Sequence, residues 1–180
     1  MNGQFIFSLK STKILQTQTI MPRLYYSHNL LGKIIEELEI TKSRLKKSNR
    51  LLLLEFDSEA TCTQPIDSER TVSFSLETLK QIQKRIHSFS RIDEIPKIFP
   101  SLVPVIRMIS AQLVDILPES SRQLSELSVH LGSIVLDSAT LTKAQFDFSQ
   151  SNLESSLLLD EVKLMVDSKI SKQYPQFDFF

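Results

Sequence analysis

Between Leu24 and Phe56 the apolar residues return at intervals of three, four and seven. Leu31, Ile34, Leu38, Leu45 and Leu52 form one stripe, with Leu24, Ile35 and Phe56 beside it. At about 100° per residue this is the signature of a helix with one apolar face, not the alternation of a strand. The second half repeats it. Ile106, Ile109, Leu113 and Leu117 lead up to Pro118, and Leu124, Leu127, Leu131 and Ile134 leave it in the same phase. Only three glycines occur in 180 residues, which argues against a β-sandwich or a phosphate-cradling loop and favours helices. The expected fold class is all-α: an elongated helical hairpin or bundle with short following helices and a C-terminal helix.

Five helices are predicted, near 24–56, 76–91, 98–117, 119–137 and 152–172. Ser75 suits an N-cap for the second, whose stripe is Leu76, Leu79, Ile82, Ile86 and Phe89. Residues 57–73, DSEATCTQPIDSERTVS, hold small polar residues, Pro65 and no periodicity, and read as a loop. Pro96, Pro100 and Pro104 recur at intervals of four, so a bend or a helix start is expected near Pro100 to Pro104. Pro118 cannot donate a hydrogen bond to the carbonyl of Val114, and the chain must bend or break there, while Glu119 suits the first turn of a new helix. The expected organisation is a loose leader over 1–23, a helical core over 24–138, a linker over 139–151, and a C-terminal helix and tail over 152–180. Met1 and Met21 both remain possible starts.

The net charge of zero conceals an asymmetry. Residues 1–56 hold nine basic and four acidic residues, +5; residues 57–107 hold seven of each; residues 108–180 hold five basic and ten acidic, −5. Such a chain invites an anionic partner for its front, or a back half that folds onto the front, unless both are plain solvated faces. On the first helix Lys33, Arg44, Lys47 and Arg50 fall away from the apolar stripe, and Lys42 and Lys46 flank it.

Several chemistries lack their residues. His28, His87 and His130 are far apart in sequence, with no H-x-x-x-H spacing and no cysteine partner, so no metal site is expected. No G-x-G-x-x-G, P-loop or G-x-S-x-G occurs. Glu36 with Glu37, and Asp160 with Glu161, are adjacent on helices and splay apart. Neither an enzyme nor a cofactor is expected. Nucleic-acid binding is not expected either: aromatics do not interleave with the basic residues, and the second half is acidic. No run of eighteen apolar residues is present, so no transmembrane span is expected, and the opening stretch lacks a convincing signal-peptide cleavage site. The lone Cys62 permits no internal disulfide and suits a reducing compartment.

The segment LVPVIRMISAQLVDILPESSRQLSELSVHLGSIVLDSA, residues 102–139, resembles the archaeal CdvB-type cell-division proteins of the ESCRT-III family. It has an apolar helix preceded by prolines, a Pro-Glu break, then an amphipathic helix. LETLKQIQKRI is similar to the end of that family's second helix, LLGKIIEELEITKSRLKKSNRLLL to its basic first helix, and LLLDEVKLMVDSKISKQYPQF to its C-terminal helix and Phe/Tyr-Pro tail. The likeness touches about two-thirds of the chain. It departs from the family at 57–73, where half of the second helix is expected to be missing, which implies a shortened relative.

The resemblance implies a non-enzymatic, cytoplasmic protein, peripheral at the inner membrane and at the division site. It would assemble with homologous subunits on the anionic membrane surface and take part in constriction. Membrane contact would fall to Lys33, Lys42, Arg44, Lys46, Lys47 and Arg50. A CdvC-type AAA ATPase would bind the last helix and tail through Leu164, Ile170, Tyr174, Pro175 and Phe177. Pro118 would be the hinge between core and regulatory tail. The alternative is a helical adaptor or scaffold that acts only through protein contacts.

Overall fold

The computed structural model describes residues 3–55, 63–88, 92–142 and 148–175, with side chains over 19–52, 66–88, 92–142 and 150–175. Its elements are α1 (Gly3–Glu55), α2 (Thr63–His87), a 3₁₀ turn (Ile92–Glu94), α3 (Ile95–Leu113), α4 (Pro118–Thr142) and α5 (Phe148–Gln173). Among the described residues the fold is all-α, with no strand.

Of the expected stripe, helix α1 buries Leu31, Ile34 and Leu38 and, flanking them, Leu24 and Ile35; Leu45 and Leu52 are half-buried, and Phe56 lies outside the described residues. It begins earlier than the sequence predicts. The stretch expected to be a loose leader is helical from Gly3, and Ile20, at its end, is 1 % exposed within the core.

Helix α2 departs further from expectation. Residues 63–73, read as loop, are its first three turns, and its buried face runs Ile66, Glu69, Val72, Ser73, Leu76, Leu79, Ile82 and Ile86. Pro65 falls in the first turn, where a missing N–H costs little. The stripe is illegible in sequence because two of its positions are Glu69 and Ser73, whose burial depends on partners elsewhere in the fold. The second helix is therefore not missing its first half. Residues 56–62, between α1 and α2, lie outside the described residues.

The two helices form an antiparallel hairpin. His28 meets His87, Lys80 Nζ reaches Glu39 at 2.6 Å, and Asn49 Nδ2 donates to Glu69 at 2.8 Å, so partner numbers fall along α2 as they rise along α1.

A second hairpin, α3 with α4, packs against the first. Helix α3 starts three residues before its predicted place and runs uninterrupted through Pro100 and Pro104. Each internal proline costs about 3 kcal/mol or more. Burial of Phe99, Leu102, Val105, Ile106, Ile109 and Leu113 on the opposite face offsets that, at roughly 1.5–3 kcal/mol for each side chain.

At Pro118 the chain neither bends and continues nor joins core to tail; it reverses. Leu113 is the last residue of α3, and its carbonyl accepts from Ile116 N at 3.1 Å and Leu117 N at 2.8 Å. The carbonyl of Leu117 then accepts from Ser121 N at 2.9 Å, which makes Leu117 the cap and Pro118 the first helical residue, a position its fixed φ suits. The unbroken apolar phase across Pro118 thus belongs to two antiparallel helices whose stripes face each other. Near the turn Ser110 Oγ donates to the Ser121 carbonyl at 2.8 Å and Ser121 Oγ to the Ser110 carbonyl at 2.7 Å, closing the hairpin with small, mutually satisfied side chains.

Helix α4 also lies antiparallel on α1, held by Arg23 to Asp137 at 2.5 Å and by Ser120 donating to Glu37. Helix α5 rests on α2 and α3, burying Leu158, Val162, Val166 and Ile170. It starts four residues before its predicted place and α4 ends five after its own, so helix occupies both ends of the expected linker. No helix of the described residues is long and apolar enough to cross a membrane.

Candidate functional site

The basic face of α1 divides in two. Lys33, Arg44, Lys47 and Arg50 are exposed, whereas Lys42 and Lys46 are half-buried. Lys42 lies beside α2 and α5, near Glu77, Glu69, Lys80 and Lys169; burial is the main reason its pKa falls below the usual lysine value. It belongs to the packing of the hairpin and not to the outer surface.

On a helical projection Lys33, Arg44 and Lys47 fall within about 60° of one another. Apolar residues share that sector: Tyr26 is 59 % exposed, Ile40 54 % and Leu51 51 %, with Tyr25 beside them at 70 %. In the sequence these apolar members are masked by the stronger stripe on the opposite side of the same helix. Their position half a turn from Leu31 and Leu38 was the available signal. None of Lys33, Arg44, Lys47 and Arg50 has a salt-bridge partner among the described residues.

Among the described residues, no acidic side chain of the second half of the chain forms a salt bridge with Lys33, Arg44, Lys47 or Arg50. Of the cross-molecule ion pairs, Arg23 with Asp137 joins the basic front to the acidic back, while Asp167 pairs with Arg70 of α2 at 2.6 Å. Asp160 and Glu161, on α5, are exposed.

The residues expected to bind an ATPase are split by the fold. Leu164 is 73 % exposed and Pro175 is exposed, but Ile170 and Tyr174 are 3 % and 2 % exposed. Phe177 lies outside the described residues. Tyr174 donates to Glu69 Oε2 at 2.6 Å, Asn49 to the same oxygen, and Gln173 Nε2 to Oε1 at 2.9 Å. A buried carboxylate of α2 thereby gathers donors from α1 and from the end of α5. Burial first, and the bond to Glu69 second, push the Tyr174 hydroxyl up to about 12.

No family model matches the chain and no solved structure matches its fold.

Two of the three histidines do meet: the His28 and His87 rings stand 5.6 Å apart across the hairpin. Groups of three or more metal-ligating side chains are absent among the described residues. His130 stacks edge-on against Tyr26 at 5.7 Å, and burial, with Arg23 nearby, lowers its pKa.

Proposed function

We propose that the chain is a non-enzymatic assembly protein of the ESCRT-III kind, similar to the CdvB-type proteins, acting in the cytoplasm at the inner face of the membrane during division. The observation that carries this reading is the outer face of α1, where unpaired cations alternate with exposed Tyr26, Ile40 and Leu51. Amphipathic helices with that mixture lie on anionic bilayers. Each cation near an anionic leaflet contributes about 1 kcal/mol, so Lys33, Arg44 and Lys47 together give roughly 3 kcal/mol, or about a hundredfold in affinity. High salt weakens the contact.

Homologous subunits would share the surface, and a CdvC-type AAA ATPase would take hold of the C-terminal helix. Leu164 and Pro175 stand ready for such a partner, whereas Ile170 and Tyr174 become available only when α5 leaves the hairpin. On this reading the Glu69 cluster holds the chain in its closed form.

Sedimentation with vesicles tests the membrane contact. Wild type should pellet with anionic vesicles and not with neutral ones, and Arg44→Glu with Lys47→Glu should lose at least a tenfold share of that binding. Equal pelleting of both proteins refutes the membrane reading.

The exposed Leu153, Leu157 and Leu164 of α5 favour a second reading, a helical adaptor that works through protein contacts alone. A constant mass at every concentration and salt level, with no vesicle binding, would establish that alternative.

A further inference from the structure

His28 of α1 and His87, the last residue of α2, come from different helices, yet their ring centroids stand 5.6 Å apart at an interplanar angle of 40°. Offset stacking would bring the planes near parallel, and an edge contact would turn them near perpendicular. This pair does neither, so ring packing does not account for it. Neither imidazole has a hydrogen-bond or salt-bridge partner among the described residues.

Free imidazoles at this spacing suit a metal ion. With a metal–nitrogen bond of about 2.0–2.1 Å and a ring nitrogen about 1.1 Å from its centroid, an ion sits about 3.2 Å from each centroid. Two such arms span 5.6 Å when they open to about 120°, close to the tetrahedral angle. The rings have room to present those nitrogens: His87 is exposed, and half-buried His28 lines two surface clefts, one of which it shares with His87.

The surrounding charge sets the kind of ion. The carbonyl end of α2, where His87 stands, carries partial negative charge and attracts a cation. Lys33, Lys80 and Lys84 line the same clefts and oppose it. With two protein ligands and water in the remaining positions, the site needs a metal that prefers imidazole. Magnesium and calcium prefer oxygen ligands and are rejected.

We propose that His28 and His87 together hold one divalent transition-metal ion of the copper, nickel or zinc class. The ion clips the end of α2 to α1. Toward the α1–α2 connection the hairpin is closed by the bond of Asn49 to Glu69; the metal clip closes the other end, about 30 Å away along α1. Neither histidine enters the membrane, assembly or ATPase contacts proposed above, so the site stands or falls independently of them.

Calorimetric titration of the full chain, carrying no added histidines, with Zn²⁺ and with Ni²⁺ is the test, and Mg²⁺ is the comparison. One saturable site per chain is expected for Zn²⁺ and Ni²⁺, and none for Mg²⁺. His28→Ala and His87→Ala should each weaken binding by about tenfold or more, with helix content by circular dichroism unchanged. His130→Ala and Cys62→Ser should bind like wild type, which excludes the third histidine and the thiol as ligands. With free Zn²⁺ at one hundred times its Kd, the unfolding equilibrium should shift roughly hundredfold toward the folded chain. Amide exchange should slow in the last turn of α2 and around His28, a response that His87→Ala lacks. The inference is overturned by no saturable binding, by Mg²⁺ binding as tightly as Zn²⁺, or by loss of the site in Cys62→Ser or His130→Ala. Either His28→Ala or His87→Ala binding like wild type, or exchange at the end of α2 that ignores the metal, would overturn it equally.

Discussion

Tyr174 donates its phenolic hydrogen to Glu69 at 2.6 Å, joining the last turn of α5 to a buried carboxylate 105 positions earlier in the sequence. Ionised carboxylates are costly to bury unless their oxygens are filled, and here Asn49, Gln173 and Tyr174 fill them. Tyr174→Phe removes one donor and leaves the ring in place. The expected loss is about 2 kcal/mol, measured as a lower urea midpoint, with hydrogen exchange rising along α5 before the rest of the molecule.

The same pair sets a limit at high pH. The Tyr174 hydroxyl is pushed up to about 12 from an ordinary 10.0. A pKa raised by folding means that the protonated form is the one the fold stabilises. The contribution is complete below pH 10 and disappears as pH rises toward about 12. Stability of wild type should therefore fall across that window more steeply than that of Tyr174→Phe, and an ultraviolet titration should show one tyrosine with a midpoint near 12 that the variant lacks.

Helices α3, α4 and the part of α1 from Leu24 onward are legible in the sequence because large apolar residues mark their buried faces directly. On α5, by contrast, Leu153, Leu157 and Leu164 stand on the exposed side, and the buried face is Leu158, Val162, Val166 and Ile170. The first half of α2 is not legible, because its buried face is written with Glu69 and Ser73. Their burial is intelligible only once Asn49 and Tyr174 stand beside Glu69. The outer face of α1 was half legible: its cations stood out, while Ile40 and Leu51 were lost among the other apolar residues of the same helix. Ile66, 1 % exposed, provides the check on the recovered half of α2. If residues 63–73 were a loop, Ile66→Ala would change little. Packed as it is, it should cost about 2–5 kcal/mol, read from chemical unfolding.

The family resemblance places Lys42 among the membrane-facing cations, and the fold separates it from exposed Arg44 and Lys47 by half-burying it. Its lowered pKa, caused chiefly by burial, means that the charged form is disfavoured by folding, so the penalty persists at neutral pH and disappears only in alkali. Lys42→Met should leave the unfolding midpoint unchanged or raise it. A loss of more than about 1 kcal/mol would show that the Glu77 and Glu69 attractions outweigh desolvation. Vesicle pelleting should be unaltered, in contrast to Arg44→Glu with Lys47→Glu.

Pro118 is where a reading of the sequence and the fold diverge most in consequence. A proline within a continuous helix predicts that Pro118→Ala would fuse α3 and α4 into one longer helix. The fold predicts that it will not. Leu117 caps α4, Pro118 is its first residue, and the reciprocal bonds of Ser110 and Ser121 hold the two helices antiparallel beside the turn. Fusion would also strip Leu124, Leu127 and Leu131 from their packing, at roughly 1.5–3 kcal/mol each, far more than an added helical turn returns. The proline contributes only its fixed φ, which restricts the unfolded chain. Pro118→Ala should cost about 0.4–1 kcal/mol, with helix content and the radius of gyration from small-angle scattering unchanged. An increase in that radius would mean that the hairpin opens, and would restore Pro118 as a hinge.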